Sequence, residues 1–333
     1  MPGAGEEERY GMTEKTIHVP GFSIGTAEDR KGLTGVTVIL APEGGAVAGV
    51  DVRGCGPGTR ETDLLRPEKT VEKIHAVVLS GGSAFGLEAS CGVMSYLRDQ
   101  GVGFPVGPVH VPIVCGAVLF DLLIGDARAY PDIAMGRLAA ERAGKTFPVG
   151  CAGAGMGATV GKFLGAERSM KSGAGYREYH LDTGLYVGAY MAVNACGEVY
   201  EGEEILAGIR GDDGTSFIPT GDLLMKGLQR HMEGANTTIG CIMTNARLTK
   251  AQCQAVAGMA HDGMARAIRP VHTSMDGDTL FVMASGMVEA AVDTVGYMAE
   301  EAVQHAIYDA VFAAEGAGGL PARKDLAVPS GEK

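Results

Sequence analysis

The chain has 333 residues and a formal net charge of −12, with 28 Lys and Arg against 40 Asp and Glu. That balance, with no Lys/Arg run interleaved with aromatics, argues against nucleic acid as a partner, since such affinity is mostly phosphate neutralisation. Hydrophobic residues make up 46% and charged residues only 20%, which suits a large folded core rather than disorder.

In chain order, Met1–Lys15 reads as a loose polar leader with no basic segment followed by an apolar one, so no secretory signal is expected. Val36–Ile39 and Ala46–Val50 flank the turn Pro42-Glu43-Gly44-Gly45 and read as a hairpin. Ile74–Ser80 reads as a buried strand, and Ser83–Leu97 as a helix with Ser83 as its N-cap. Gly150–Gly161 is a glycine-rich loop. Leu185–Asn194 reads as a strand that Ala195-Cys196-Gly197-Glu198 turns back into Val199. Thr237–Thr244 is another strand. Thr249-Lys250-Ala251-Gln252 has the spacing of a capping box and opens a helix to about Ile268. Thr279–Ala284 is a strand, and the apolar spacing from Val288 to Ala310 makes a long final helix. Residues after Gly316 read as a loose tail. No repeat or linker divides the chain, so a single domain over 1–333 is expected.

No apolar run reaches the length of a membrane span. The seven cysteines are an odd number at wide spacings with no C-x-x-C, which fits a reducing cytoplasm and argues against a disulfide framework or zinc. The histidines lack metal-ligand spacing, so no metal is expected. Several motifs fall short. Gly153-x-Gly155-x-x-Ala158 approaches a dinucleotide fingerprint but continues with glycine rather than helix. Gly161-Lys162 lacks the rest of a phosphate loop. Gly81-Gly82-Ser83-Ala84-Phe85 misses the last glycine of a nucleophile elbow, although Ser83 stays second in line as a nucleophile. His261 and His272 read as helix-surface and loop histidines rather than bases.

The chemistry concentrates at Gly234-Ala235-Asn236-Thr237-Thr238-Ile239. A hydroxyl residue opens a buried strand after a turn-prone tripeptide. Cleavage at Asn236–Thr237 would free an α-amine, whose pKa of roughly 7.7–8 suits it to act as base for the threonine hydroxyl. The plain alternative is a turn entering a core strand.

Taken together, Arg53-Gly54-Cys55-Gly56-Pro57-Gly58-Thr59-Arg60-Glu61-Thr62-Asp63, Leu79–Leu87, Val111-Pro112-Ile113-Val114, Gly153-Ala154-Gly155, Asn236-Thr237-Thr238 and Arg269-Pro270-Val271-His272-Thr273 resemble segments of the L-aminopeptidase/D-esterase family of self-processing peptidases. The similarity runs from about Gly21 to Val311. It implies an α/β fold, a four-layer αββα sandwich that looks like N-terminal nucleophile hydrolases but has a different strand connectivity. It also implies an α chain of 1–236, a β chain of 237–333, no cofactor, and a homo-oligomer, often a tetramer. Carried over by motif, Thr237 matches the nucleophile and Asn194 the side-chain amide that helps hold the oxyanion. Lys162 matches a lysine near the nucleophile. Asp276 and Asp278 match a pair that orients Thr237 and meets a substrate ammonium. Each has a bland alternative: a turn asparagine, a solvated loop lysine, an Asp-Gly-Asp turn.

The junction Asn236-Thr237 with Asp276 and Asp278 looks more like the nylon-oligomer (6-aminohexanoate-oligomer) hydrolase branch than the Gly-Ser junction of the aminopeptidases. Cys115 and Cys151 also depart from the small or polar residues expected in their segments. The expected activity is aminopeptidase-like hydrolysis of amide bonds in small peptides or amino amides. A nylon-oligomer-type endo-amidase is the alternative within the family, and an acyltransferase of the ornithine acetyltransferase type the alternative outside it.

Overall fold

The structure, a computed structural model, describes residues 12–228 and 236–326. Gly234 and Ala235, which complete the expected turn, and most of the expected leader lie outside them. Two sheets and two helix pairs stack as α/β/β/α, because the three largest apolar clusters among the described residues are closed between these layers.

The five-stranded sheet runs in the order Ser23–Asp29, Thr34–Leu40, Ala76–Ser80, Val114–Val118, Gly58–Arg60. The six-stranded sheet runs Ala174–His180, Tyr186–Asn194, Thr237–Ala246, Thr279–Val288, Ala46–Val52, Lys73–Ile74. Between the sheets, Ile24, Ile39, Val77 and Leu79 of the first face Tyr190, Ile239, Cys241, Met243 and Phe281 of the second. Outside the first sheet, Ala27, Val36 and Val78 pack on the helices Ala89–Asp99 and Ile133–Glu141. Outside the second, Val193, Ile242 and Val282 pack on Lys250–Ala267 and Val292–Phe312. The strands of the second sheet that carry apolar residues on both faces therefore form the buried centre, and Thr237–Ala246 is buried along its whole length.

The expected hairpin is not one. Thr34–Leu40 pairs with Ser23–Asp29 and Ala76–Ser80, while Ala46–Val52 pairs with Thr279–Val288 in the other sheet. The turn itself closes, Gly45 N–H to Pro42 O at 2.9 Å, but it carries the chain across the gap. The expected strand Ile74–Ser80 crosses back beside it. Lys73–Ile74 pairs with Ala46–Val47, and Ala76–Ser80 lies in the first sheet. Both strands are apolar on two faces, so their pattern specifies burial and not partner.

Other expectations shift locally. Ser83 is not an N-cap: it sits at φ 51 inside a 3₁₀ segment, Ser83–Glu88, and the α-helix follows at Ala89. Glu198–Glu201 does not return along Tyr186–Asn194; it joins Glu204–Ala207 and Ile268–Arg269 in a separate sheet. The final helix starts at Val292, because Val288 still belongs to the preceding strand. The supposed leader contributes Glu14–Thr16, paired with Thr146–Pro148. The supposed tail packs as well, with Pro321 O accepting from Lys171 N–H at 2.9 Å and Leu206 O from Arg323 Nη1 at 3.0 Å. The capping box holds as read, with both reciprocal bonds between Thr249 and Gln252 present.

Candidate active site

Thr237 begins the central strand of the second sheet, with Asn194 opposite it on the antiparallel neighbour. Side chains alternate along a strand. Ile239 and Cys241 on one strand, and Tyr190 and Ala192 on the other, point into the gap between the sheets. Thr237 and Asn194 share that face, at the end of the gap. Thr279 starts the parallel neighbour on the other side, so the loop before it, Asp276-Gly277-Asp278, lies beside Thr237. A parallel bridge joins Asn236 to Asp276.

Four of the expected residues are thus brought to one place around Thr237, and all are buried. The Thr237 hydroxyl donates to the carbonyl of the preceding Asn236, and that carbonyl also accepts Gly277 N–H at 3.2 Å. Lys162 Nζ donates to Asn194 Oδ1 at 2.7 Å and to Asn194 O at 2.9 Å, and Thr159 N–H adds a second bond to Oδ1 at 3.1 Å. Donors surround Oδ1, while Asn194 Nδ2 donates to Phe120 O at 2.9 Å. The amide orientation is therefore set by its partners. Lys162 is no solvated loop lysine, and Asn194 is no plain turn asparagine.

Asp278 Oδ1 accepts Thr238 N–H at 2.7 Å, which ties the acid to the residue after Thr237. Asp278 Oδ2 accepts from His272 N–H at 3.1 Å and His272 Nδ1 at 2.8 Å. Asp276 Oδ2 accepts Thr273 N–H at 2.8 Å and Thr273 Oγ1 at 2.6 Å. Burial, and then repulsion by Asp278, push the Asp276 carboxyl above the ordinary aspartate value; Thr273 and Lys162 pull it back. The loop is held from behind by Arg53–Gly56. Arg53 N–H and Gly56 N–H donate to Asp278 O and Asp276 O at 3.0 and 2.9 Å. A Cβ on Gly54 would come within 2.4 Å of Asp278 N, so the approach requires glycine. A Cβ on Gly277 would stand 2.9 Å from Thr237 Oγ1, which makes the middle of Asp-Gly-Asp as constrained as its ends.

Four residues here were given no role from sequence. His272 and Thr273 hold the acids, although Thr273-x-x-Asp276 has the spacing of a local side-chain-to-backbone motif and could have flagged one of them. His261, read as a helix-surface residue, is fully buried; its ring lies 4.7 Å from that of His272, and burial lowers its pKa to about 4. Asp121 follows Phe120 and accepts Gly82 N–H at 2.7 Å and Thr34 Oγ1 at 2.8 Å; burial raises its pKa to about 6. Ser83 is partly exposed, its N–H bonded to Leu119 O at 2.9 Å, and no acid or histidine is bonded to it among the described residues. Among those residues no cluster has the make-up of a metal site, and no helix is long and apolar enough to cross a membrane.

Comparison with known proteins bears on the family and the fold. The family model described as peptidase family S58 matches residues 15–324. An uncharacterised aminopeptidase of Mycobacterium leprae is 40% identical over 314 residues, covering 86% of this chain and 84% of the relative. A 6-aminohexanoate-oligomer endohydrolase of Agromyces sp. is 33% identical over 276 residues, 81% of this chain and 74% of the relative. Among solved structures, the L-aminopeptidase D-Ala-esterase/amidase of Ochrobactrum anthropi, titled a new variant of the Ntn hydrolase fold, superposes with a TM-score of 0.66. It shares 20% identity and covers 92% of this chain and 88% of its own. A Burkholderia sp. β-aminopeptidase gives a TM-score of 0.65 at 21% identity, covering 92% and 90%. At those identities the structural likeness speaks for the fold.

Proposed function

The chain belongs to peptidase family S58, the L-aminopeptidase/D-esterase family, and from that premise we propose that it is a self-processing hydrolase with Thr237 as nucleophile. Hydrolysis of peptide or amide bonds follows from the family and from its aminopeptidase relatives. The observation that carries the finer reading is the contact of the Thr237 hydroxyl with the carbonyl of the preceding residue, Asn236, at the buried start of a central strand.

In this proposal the hydroxyl oxygen attacks that carbonyl carbon. The Asn236–Thr237 C–N bond breaks, the nitrogen takes up the hydroxyl proton, and an ester links Asn236 to Thr237 Oγ1. Water hydrolyses the ester, leaving an Asn236 carboxylate and a Thr237 α-amine. The amine then serves as base when the same oxygen attacks a substrate amide. Gly277 N–H on the Asn236 carbonyl supports the first step, because it polarises the bond under attack. Asn194 is the proposed side-chain donor to the substrate oxyanion: Phe120 O takes one hydrogen of its amide, and the amide carries two. Lys162 places a positive charge at Asn194, which favours the neutral, proton-accepting form of a nearby amine. Asp276 and Asp278 supply negative charge for Thr237 and for a substrate ammonium.

The substrate reading is a small peptide or amino amide with a free amino end. The Asn-Thr junction and the 33% identity to nylon-oligomer endohydrolases favour a second reading, an endo-amidase that does not need that amine. Thr237→Ala tests the nucleophile in either case. It should abolish splitting and turnover together while Thr237→Ser keeps part of both. An alanine variant that still hydrolyses amides would move the nucleophile elsewhere, Ser83 first.

A further inference from the structure

The two acids beside Thr237 are an electrostatic problem. Both are almost fully buried, they lie two residues apart, and after burial itself the nearness of Asp278 raises the cost of ionising Asp276. Consecutive residues answer it. His272 donates twice to one oxygen of Asp278, through N–H at 3.1 Å and Nδ1 at 2.8 Å. Thr273 donates twice to one oxygen of Asp276, through N–H at 2.8 Å and Oγ1 at 2.6 Å. One dipeptide therefore supplies four donors to two acids. The second oxygen of Asp278 is left for Thr238 N–H, and the second oxygen of Asp276 is buried with no partner among the described residues.

We propose that His272 and Thr273 are positioning residues: by saturating one oxygen of each acid, they fix both carboxylates against Thr237 and leave the other oxygen of each for the nucleophile strand and the reacting groups. This rests on the reading of Thr237 as nucleophile. Backbone geometry supports it independently. His272 sits at φ 55, where non-glycine residues are uncommon, and that twist brings its N–H and its ring nitrogen to the same oxygen. The acceptor is a carboxylate, so Nδ1 carries the hydrogen. Nε2 is buried without a partner among the described residues and the ring meets His261 edge to face, so the ring's role ends at Asp278 rather than reaching on as a proton relay. Among the described residues, the charged and titratable groups that act on Asp276 are Asp278 and Lys162.

The test is a pair of conservative exchanges at each position, read by kcat, KM, pH profile and thermal midpoint. Thr273→Val keeps the shape and removes the hydroxyl; Thr273→Ser restores it. Asn at 272 places an amide N–H where Nδ1 stands and tolerates φ near 55; Gln places it one bond too far. Thr273→Val and His272→Gln should each lower kcat about 10–100-fold, the size of one lost hydrogen bond to a charged group, with KM within about threefold. Thr273→Ser and His272→Asn should recover most of that. The acid limb of the Thr273→Val profile should move to higher pH, because the lost bond was holding the Asp276 pKa down. Wild-type kcat and acid limb in both disruptive variants would overturn the proposal, as would equal losses in the disruptive and conservative members of each pair. If Thr273→Val fails to fold, the Asn and Gln variants at 272 decide alone, and equal kcat for those two overturns it. A Thr237→Ala variant with normal turnover would sink the nucleophile reading instead; an inactive Thr237→Ala beside normal Thr273→Val and His272→Gln sinks only this one.

Discussion

Replacing Lys162 by methionine perturbs the site at a buried cation bonded to Asn194. The side chain is 6% exposed, so its charge is little screened by water. Its Nζ makes bonds of 2.7 and 2.9 Å to Asn194 Oδ1 and O. Methionine preserves most of the volume and removes both. Asn194 Oδ1 keeps Thr159 N–H at 3.1 Å, so the amide is loosened rather than orphaned. A charge-assisted bond contributes about 1.5–3 kcal/mol, and two on one residue do not add fully. Taking about 2–3 kcal/mol as the loss, with the amide holding the oxyanion, kcat should fall roughly 30–150-fold. A second effect has a definite sign. Lys162 lowers the pKa of Asp276, which burial and Asp278 raise. Without the lysine that pKa rises further, so activity that needs the ionised acid should be lost at a higher pH on acidification. Lys162→Arg, which keeps the charge, should shift the limb less. The assay is a pH–rate profile from single-turnover and steady-state kinetics on one short amide. A Lys162→Met enzyme with wild-type kcat and an unmoved acid limb would refute the placement of this charge in the mechanism.

Asn194→Ala should reduce kcat by roughly 10²–10³-fold with little change in KM, the usual cost of one oxyanion donor; unchanged kcat would return Asn194 to a structural role. Acetylating the amino end of a short amide series should cost much of kcat/KM for an aminopeptidase-like enzyme, because the ammonium would lose its attraction to the acid pair. Equal rates on free and blocked substrates would favour the endo-amidase. Away from the site, buried Lys250 donates to the carbonyls of Leu64, Lys69 and Val71, each at 3.0 Å, and so pins the Leu64–Val71 loop to the start of a helix. Lys250→Met should lower unfolding free energy by about 2–4 kcal/mol in denaturant titration, since three acceptors lose a charged donor at once; a change under about 0.5 kcal/mol would contradict that role.

What the sequence disclosed was local or carried by motif. The Thr249–Gln252 capping box depends on residues three apart and is present as read. The strand ending at Asn194 and the strand beginning at Thr237 were placed to within a residue at those ends, because apolar runs stop where turn residues begin. Partnership was not disclosed. Ala46–Val52 carries the composition of a hairpin arm yet pairs with Thr279–Val288, more than two hundred residues away. The motif Arg53–Asp63 suggested a functional segment, but its role as backing for the acid loop depends on Gly54 and Gly56 meeting Asp276 and Asp278 across the fold. His272 was passed over for the same reason. It stood in the Arg269–Thr273 motif, but a role at the acids shows only once its positive φ and its distance to Asp278 are known. Buried acids such as Glu198, whose pKa burial lifts to about 7 and which accepts Thr220 N–H at 3.0 Å, likewise look like surface residues in sequence.

The central claim is that the chain cuts itself between Asn236 and Thr237 and uses the new terminus as its nucleophile. Intact-mass analysis of the purified active protein, with N-terminal sequencing of every fragment and Thr237→Ala alongside, tests it most directly. Two fragments are expected, one ending at Asn236 and one beginning at Thr237, with activity following their appearance and the alanine variant left whole and inactive. A full-length chain that is fully active, or a cut at any other bond, would contradict it.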